Sequence, residues 1–324
     1  MSQTPGFRPF KMSAETNTPA FAEDVAYYLT LTPRQLPSQY LYDELGSSLF
    51  ESICRLPWYP ITRTEQQLLL VSRRAIFDRL SSVSTIVELG PGSGEKLVTL
   101  LEERSAPDLT VHLVDVSGAA LDKAARAVVA CCALPIVVHQ ATYEAGLSDM
   151  SLSALAGRTL VMFLGSNIGN FDPPGADAFL RGVRRAVGSG DGLLLGTDLV
   201  KPEADLLLAY DDPLGVTAAF NRNLLVRVNR ELGADFDINR FAHQAIWNAA
   251  ESRVEMHLIS LERQRVRVRA SAIDITFDPN EPIWTESSYK YRIEDVGSML
   301  DRAGFRVIGQ WVENGFALTL AEAT

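Results

Sequence analysis

Apolar and polar positions follow one rhythm through the middle of the chain and another after it. From about residue 65 to 199, short branched-apolar runs alternate with stretches whose apolar positions recur three and four residues apart. "STIVELG", "LTVHLVDVS", "LPIVVHQATY", the start of "RTLVMFLGSNIGNF" and "DGLLLGTDLV" read as five strands. "EKLVTLLEE", the Ala-rich "GAALDKAARAVVACC" and "PPGADAFLRGVRRAVGSG" read as helices between them, the last with Pro at its start and Gly past its end. Strand–helix units of this length predict a parallel sheet covered on both faces.

The rhythm then changes. Residues 200–290 carry two helix-like segments, "ADLLLAYDD" and "GVTAAFNRNLLVRVNREL", followed by strand-like "RVEMHLISLE" and "RVRVRASAIDITF". "WTESSYKYR" comes next as a polar connection, and "IEDVGSMLDRAG" is again helical. The last stretch, "FRVIGQWVENGFALTLAEA", holds two apolar runs around "ENG", which predicts a β-hairpin and so antiparallel pairing. The expected fold is α/β: a Rossmann-like parallel sheet with a terminal antiparallel hairpin, plus a second α+β unit. The expected division is 65–199 and 291–324 for the sheet domain, and 1–64 and 200–290 for the second domain. The start, "MSQTPGFRPFKMSAETNTP", is rich in Ser, Thr and Pro, and the first ~20 residues are expected to be disordered.

Composition narrows the function by exclusion. Net charge is −10 over 324 residues, with no basic stretch interleaved with aromatics, so no nucleic-acid partner is expected. No apolar run approaches the roughly 20 residues of a membrane span, and the start lacks a signal-peptide core. The three cysteines, Cys54, Cys131 and Cys132, form no CxxC or Cys/His cluster, and the neighbouring pair is poorly placed to bond. They are expected to be reduced and mostly buried, in a metal-free cytoplasmic protein working as a monomer.

The chemistry concentrates at strand ends. "VELGPGSGEK" puts glycines at 90, 92 and 94 after the first strand, with Glu88 at its end, and Asp115 closes the second strand. A sharp glycine turn with an acidic residue placed to take ribose hydroxyls suits a nucleoside cofactor, although a glycine turn alone is also found as a plain tight turn. The spacing is GxGxG rather than the GxGxxG usual for NAD, and the terminal hairpin is not the layout of two matched mononucleotide halves. An NAD-dependent oxidoreductase is therefore disfavoured. The core resembles class I S-adenosylmethionine-dependent methyltransferases instead.

Four further blocks sharpen that resemblance: "YLYDELGSSLFESICRLPWYPITRTE", "VMFLGSNIGNF", "GTDLVK" with "AYDDPLGVTAAFNRN", and "TESSYKYR". Together they are similar to the histidine-specific methyltransferase family of ergothioneine biosynthesis, which makes Nα,Nα,Nα-trimethylhistidine (hercynine), and the match runs from about Leu36 onward. The resemblance implies S-adenosylmethionine contacts at Tyr59, Gly90, Lys96 and Asp115. Where the family often has Asp-Phe after the third strand, this chain has Thr142-Tyr143, which replaces a charged adenine partner by a hydroxyl. The resemblance implies L-histidine contacts at Tyr42, Asn170, Tyr210, Met256, Glu286 and Ser288. Asn170 and Tyr210 would hold the carboxylate as neutral donors, Tyr42 would orient the amine, and Glu286 with Ser288 would read the ring beside Met256. Phe50 would add an aromatic wall for the methylated cation, or else pack in the core. Two other readings stay open: a sister enzyme for another amino acid, such as a tryptophan derivative, and a silent cofactor-binding protein.

Overall fold

The computed structural model describes residues 18–102, 109–132, 134–150, 152 and 157–324. Residues 1–17, for which disorder is expected, lie outside the described residues; helix begins at Thr18. The opening part supplies α1 (Thr18–Tyr28), a two-residue β1 (Arg34–Gln35), α2 (Glu44–Ile53) and α3 (Ile61–Arg79). Alternating units come next: β2 (Val83–Leu89), α4 (Glu95–Leu101), β3 (Thr110–Asp115), α5 (Gly118–Cys131), β4 (Ile136–Gln140), α6 (Tyr143–Asp149), β5 (Arg158–Phe163), α7 (Pro173–Ala186) and β6 (Gly192–Asp198). Then come α8 (Glu203–Tyr210), α9 (Val216–Leu232), β7 (Phe241–Asn248), β8 (Arg253–Ser260), β9 (Gln264–Val268), β10 (Ile273–Phe277) and β11 (Pro282–Tyr289). The chain ends in α10 (Ile293–Arg302), β12 (Phe305–Glu313) and β13 (Phe316–Ala323).

The main sheet has seven strands in the order β12-β13-β6-β5-β2-β3-β4. The five predicted strands pair in parallel, and β13 runs antiparallel to both β6 and β12. Asn314 and Gly315 take positive φ in the hairpin turn (45° and 71°), as a tight turn between twisted strands requires. Because side chains alternate across a strand, neighbours enter different cores. Ile86, Leu113, Leu160 and Leu194 pack on one face of the sheet, and Val87, Val114, Val161 and Leu195 on the other. After β2 the chain builds outward through β3 and β4, then returns to β5 on the opposite side of β2. The carboxyl ends of β2 and β5 therefore flank the topological switch point, where open α/β sheets leave a crevice.

A second, four-stranded sheet runs β1-β11-β8-β7, and β9 with β10 forms a separate hairpin. Three expectations change here. "FAHQAIWN", which carried no assignment, is strand β7; only alternate positions face apolar neighbours, so its pattern is weak. "RVRVRASAIDITF" is two strands, and its turn lacks glycine, with Ala272 taking a positive φ of 52°. "WTESSYKYR" is for the most part strand rather than connector, since β11 pairs with β8 along its length except at Thr285. Its polar side chains made it look like a surface loop, but two of them, Glu286 and Ser288, face the crevice.

The cysteines also depart from expectation. Cys131 is exposed, Cys54 and Cys132 are half-buried, and all three are free thiols. Cys131 and Cys132 lie past Val128, the last fully buried residue of α5, where the helix overhangs its core. Among the described residues no helix is long and apolar enough to cross a membrane.

Candidate active site

The crevice has a glycine-loop side and an aromatic side, joined by the loop after β5. On the first, Gly90, Gly92 and Gly94 have φ of 74°, 54° and 78°, a region L side chains rarely adopt. A Cβ on Gly90 would lie 2.8 Å from the Tyr143 hydroxyl and 3.0 Å from Asn167 Nδ2. One on Gly94 would strike Ala124 of α5 at 2.8 Å. The loop is thus open backbone cradled between α5, Tyr143 and the β5 loop. Beneath it, Glu88 is fully buried, and its Oε2 has no hydrogen-bond partner. Burial pushes its carboxyl up to about 8, against the lowering influence of Lys96. Asp115 accepts the Ser117 N–H at 2.8 Å, and burial raises it to about 6.

Lys96 does not stand free. Its ammonium pairs at 2.5 Å with Glu65 of α3, a side chain with no exposed surface. Burial would lower its pKa, but Glu65 outweighs that and holds it above the ordinary range. The same carboxylate accepts the Gly165 N–H at 2.8 and 2.9 Å, so Glu65 clamps α4 to the loop after β5. Thr142, the departure from the family pattern, caps α6: its hydroxyl oxygen accepts the Ala145 N–H at 3.3 Å.

The aromatic side is a cleft enclosing about 470 Å³ of space, its mouth included. All seven substrate-side and catalytic residues nominated by sequence line it: Tyr42, Phe50, Asn170, Tyr210, Met256, Glu286 and Ser288. Tyr59, nominated for the cofactor, lines it too, with its ring 6.2 Å from that of Tyr210. Tyr42, Phe50 and Phe220 form a triangle of rings with centroids 5.5, 5.5 and 5.9 Å apart. Tyr42 owes its position to its neighbour Asp43, whose carboxylate caps α2 through Gly46 N–H (2.8 Å). The same carboxylate also accepts from Asn223 and Arg230 of α9, each at 2.7 Å. A Cβ on Gly46 would sit 1.7 Å from the Leu41 carbonyl, so this chain reversal needs glycine.

On the second sheet, the register slips between Trp284 and Glu286, leaving Thr285 as a bulge. Its hydroxyl donates to the Met256 carbonyl at 2.9 Å, and the Trp284 indole N–H donates to the Glu286 carbonyl at 2.9 Å. A bulge re-aims the side chains beyond it. Glu286 thereby lands opposite Met256, and Ser288, two residues on, faces the same cleft. Burial pushes Glu286 up to about 7, with Lys290 opposing. Burial and then the Glu286 charge hold the Tyr42 phenol well above its usual range, so it stays neutral.

Tyr210 Oη and Ser288 Oγ are hydrogen-bonded at 2.8 Å. The buried Lys290 ammonium donates to both, at 2.8 Å each, and pairs with Asp198 at 3.0 Å. The Tyr210 carbonyl accepts from His243 Nε2 at 2.8 Å, and Asn221 Nδ2 lies 2.9 Å from the other ring nitrogen. Sequence reasoning passed over Phe220, Asn167, Glu65, His243 and Lys290. All but His243 stood inside quoted blocks, but only contacts between distant segments reveal their partners.

The chain matches the family model described as "Histidine-specific methyltransferase, SAM-dependent" over residues 21–323. It is 41% identical over 314 residues to the histidine N-alpha-methyltransferase of Mycolicibacterium smegmatis, covering 96% of this chain and 97% of that one. It is 42% identical over 313 residues to the protein of the same name from Mycobacterium tuberculosis, covering 93% and 94%. Ergothioneine biosynthesis protein 1 of Schizosaccharomyces pombe is 28% identical over 294 residues, which is 86% of this chain and 37% of that longer protein.

Proposed function

From the chain's membership of the histidine-specific, S-adenosylmethionine-dependent methyltransferase family, we infer that it methylates the α-amino nitrogen of L-histidine three times, giving hercynine for ergothioneine biosynthesis. The observation that carries the substrate choice is the bulge at Thr285. It brings a carboxylate, Glu286, and a thioether, Met256, to one wall of the cleft, with Ser288 on the same strand face. An imidazole with N–H groups satisfies that wall, whereas an indole would leave the buried carboxylate without a full partner.

The residues at the glycine loop fit S-adenosylmethionine. The Gly90 cradle closes if a Cβ is added, and the orphaned Glu88 oxygen suits a cationic ammonium. Asp115 at the end of β3 suits a ribose. When bound, the cofactor supplies an electrophilic methyl carbon on a sulfonium. The chain's own tasks are then alignment and exclusion of water. Asn170 and Tyr210 hold the substrate carboxylate, and Glu286 with Ser288 holds the ring, so the α-nitrogen is fixed between two anchored ends. The neutral Tyr42 hydroxyl orients that nitrogen. Its raised pKa makes the phenol a hydrogen-bonding guide rather than an ionised base. Each round sheds one proton from the nitrogen to solvent, and after the third methyl the nitrogen is a permanent cation without donors. The Tyr42, Phe50 and Phe220 rings favour such a cation by about 0.5–2 kcal/mol, which lets one site serve successive rounds.

In this reading residues 1–64 and 200–290 form the substrate unit and the rest forms the cofactor unit. The enzyme acts as a monomer, in the cytoplasm, a compartment that keeps thiols such as these reduced. The test is incubation with S-adenosylmethionine and a panel of free amino acids, then mass spectrometry of the products. Histidine gaining three methyl masses while the others gain none is the expected result. Turnover of tryptophan but not histidine would refute the assignment.

A further inference from the structure

The two groups that hold the carboxylate in this reading, Asn170 and Tyr210, are uncharged, yet behind them lies a buried cation to which sequence reasoning gave no role. Lys290 has a side chain with no exposed surface. An ammonium has three N–H donors and no acceptor. Here all three are spoken for: Asp198 Oδ2 at 3.0 Å, Tyr210 Oη at 2.8 Å and Ser288 Oγ at 2.8 Å. Asp198 is shared, because its other oxygen pairs with Lys201 Nζ at 2.5 Å. With Asp198 ionised, the cluster of two lysines and one aspartate holds a net charge of +1 against the wall of the cleft.

The hydrogen count gives the two hydroxyls a direction. Tyr210 and Ser288 each accept from Lys290, and they are also bonded to each other at 2.8 Å. One of their two protons is consumed in that mutual bond, so the pair presents a single proton to a ligand. If Ser288 donates to Tyr210, the phenolic proton is left for the ligand and Ser288 keeps one lone pair. If Tyr210 donates to Ser288, the serine proton is left and its lone pairs are full. A ligand with an acceptor beside Tyr210 and an N–H beside Ser288 selects the first arrangement. An amino acid with an imidazole side chain is such a ligand.

We propose that Lys290 is the positioning and specificity residue for the substrate's carboxylate: it charges and orients the Ser288–Tyr210 hydroxyl pair so that Tyr210 donates to the carboxylate and Ser288 accepts from the ring. This rests on the histidine reading above. Lys290 touches no substrate atom and acts through the two hydroxyls. Its cation also lies 4.6 Å from the centroid of the Tyr210 ring, which further fixes that side chain.

The test compares L-histidine with histamine, the same amine and ring without the carboxylate. Binding of each to the protein saturated with S-adenosylhomocysteine is measured by calorimetry, in wild type and Lys290→Met. The variant is expected to lose roughly 30- to 100-fold in histidine affinity, the scale of a charge-assisted hydrogen bond, while histamine, which keeps only the ring contact at Ser288, loses about tenfold less than histidine does. Equal losses for both ligands, the signature of a merely structural lysine, overturn the proposal, and so does no loss for either. If K290M no longer binds S-adenosylhomocysteine, Lys290→Gln, which keeps an N–H donor without the charge, is put through the same pair of titrations and read by the same criteria. Failure of the histidine reading looks different: wild type then binds neither ligand, and the proposal falls with it.

Discussion

Glu286 is the residue on which substrate choice turns, and its removal has a calculable effect. The carboxylate is partly buried beside the bulge of β11, opposite Met256, and the charge that opposes its upward shift is Lys290. A hydrogen bond to a charged partner in such a place contributes about 1.5–3 kcal/mol, and each 1.4 kcal/mol is tenfold in a rate or binding constant. Glu286→Ala should therefore lower kcat/KM for histidine by roughly 10- to 100-fold. Glu286→Gln should lose less, because an amide still accepts from a ring N–H. The pH dependence supplies a second reading. With a carboxyl raised to about 7, the free enzyme is protonated at Glu286 below that pH and ionised above it. The charged form is the one that binds the ring, so histidine turnover gains from ionisation as pH rises through 7. Titration of histidine itself is common to both enzymes, so the ratio of wild-type to E286Q kcat/KM isolates this gain and should climb between about pH 6 and 8. Steady-state kinetics across that range, with S-adenosylhomocysteine formation as the readout, decide the matter. A flat ratio, or a loss in E286A shared equally with other amino acids, would falsify the claim that this strand reads the ring.

Two further expectations concern the glycine-loop side. Glu88, raised to about 8 and without a partner at Oε2, holds a proton at pH 7 in the free enzyme and must release it to meet a cationic ligand. Calorimetric titration with S-adenosylmethionine in buffers of different ionisation enthalpy should show close to one proton released at pH 7, falling toward zero above pH 9; identical release from Glu88→Gln would assign it elsewhere. Thr142→Asp should keep the cap on α6, since aspartate caps as well as threonine does, while adding a charge where the adenine is expected. S-adenosylhomocysteine affinity should rise about three- to tenfold with an unchanged melting temperature, and a weaker complex would show that the hydroxyl is there only to cap the helix.

The seven-stranded sheet was legible because its inner strands are buried on both faces, which writes continuous apolar runs such as "TIVELG" and "LLLGTD" into the sequence. The hairpin was legible because Asn314-Gly315 is a local signal. Of the second sheet only β8 was read as a strand, from "RVEMHLISLE", and the reason the others were missed is physical. A strand whose inner face lines a polar cleft must carry Glu, Ser and Lys where a core strand carries Val and Leu. β11 therefore reads as a loop by the only rule that composition supplies. The slip at Thr285 is invisible for a related reason: it exists only relative to β8, some 29 residues away by its hydrogen bond to Met256. Site residues named through family blocks fell into one cleft because each block is continuous in sequence and carries its own local anchor, as Asp43 does for Tyr42. Most of the residues missed also stand inside such blocks, but their partners lie in other ones. Glu65 has meaning only beside Lys96 and Gly165, and Lys290 only beside Asp198, Tyr210 and Ser288. Buried charges are costly unless paired, and their partners come from wherever the fold can bring an opposite charge close. A motif can list the side chains that touch the ligand, while the charges that hold those side chains in place are set by the three-dimensional packing.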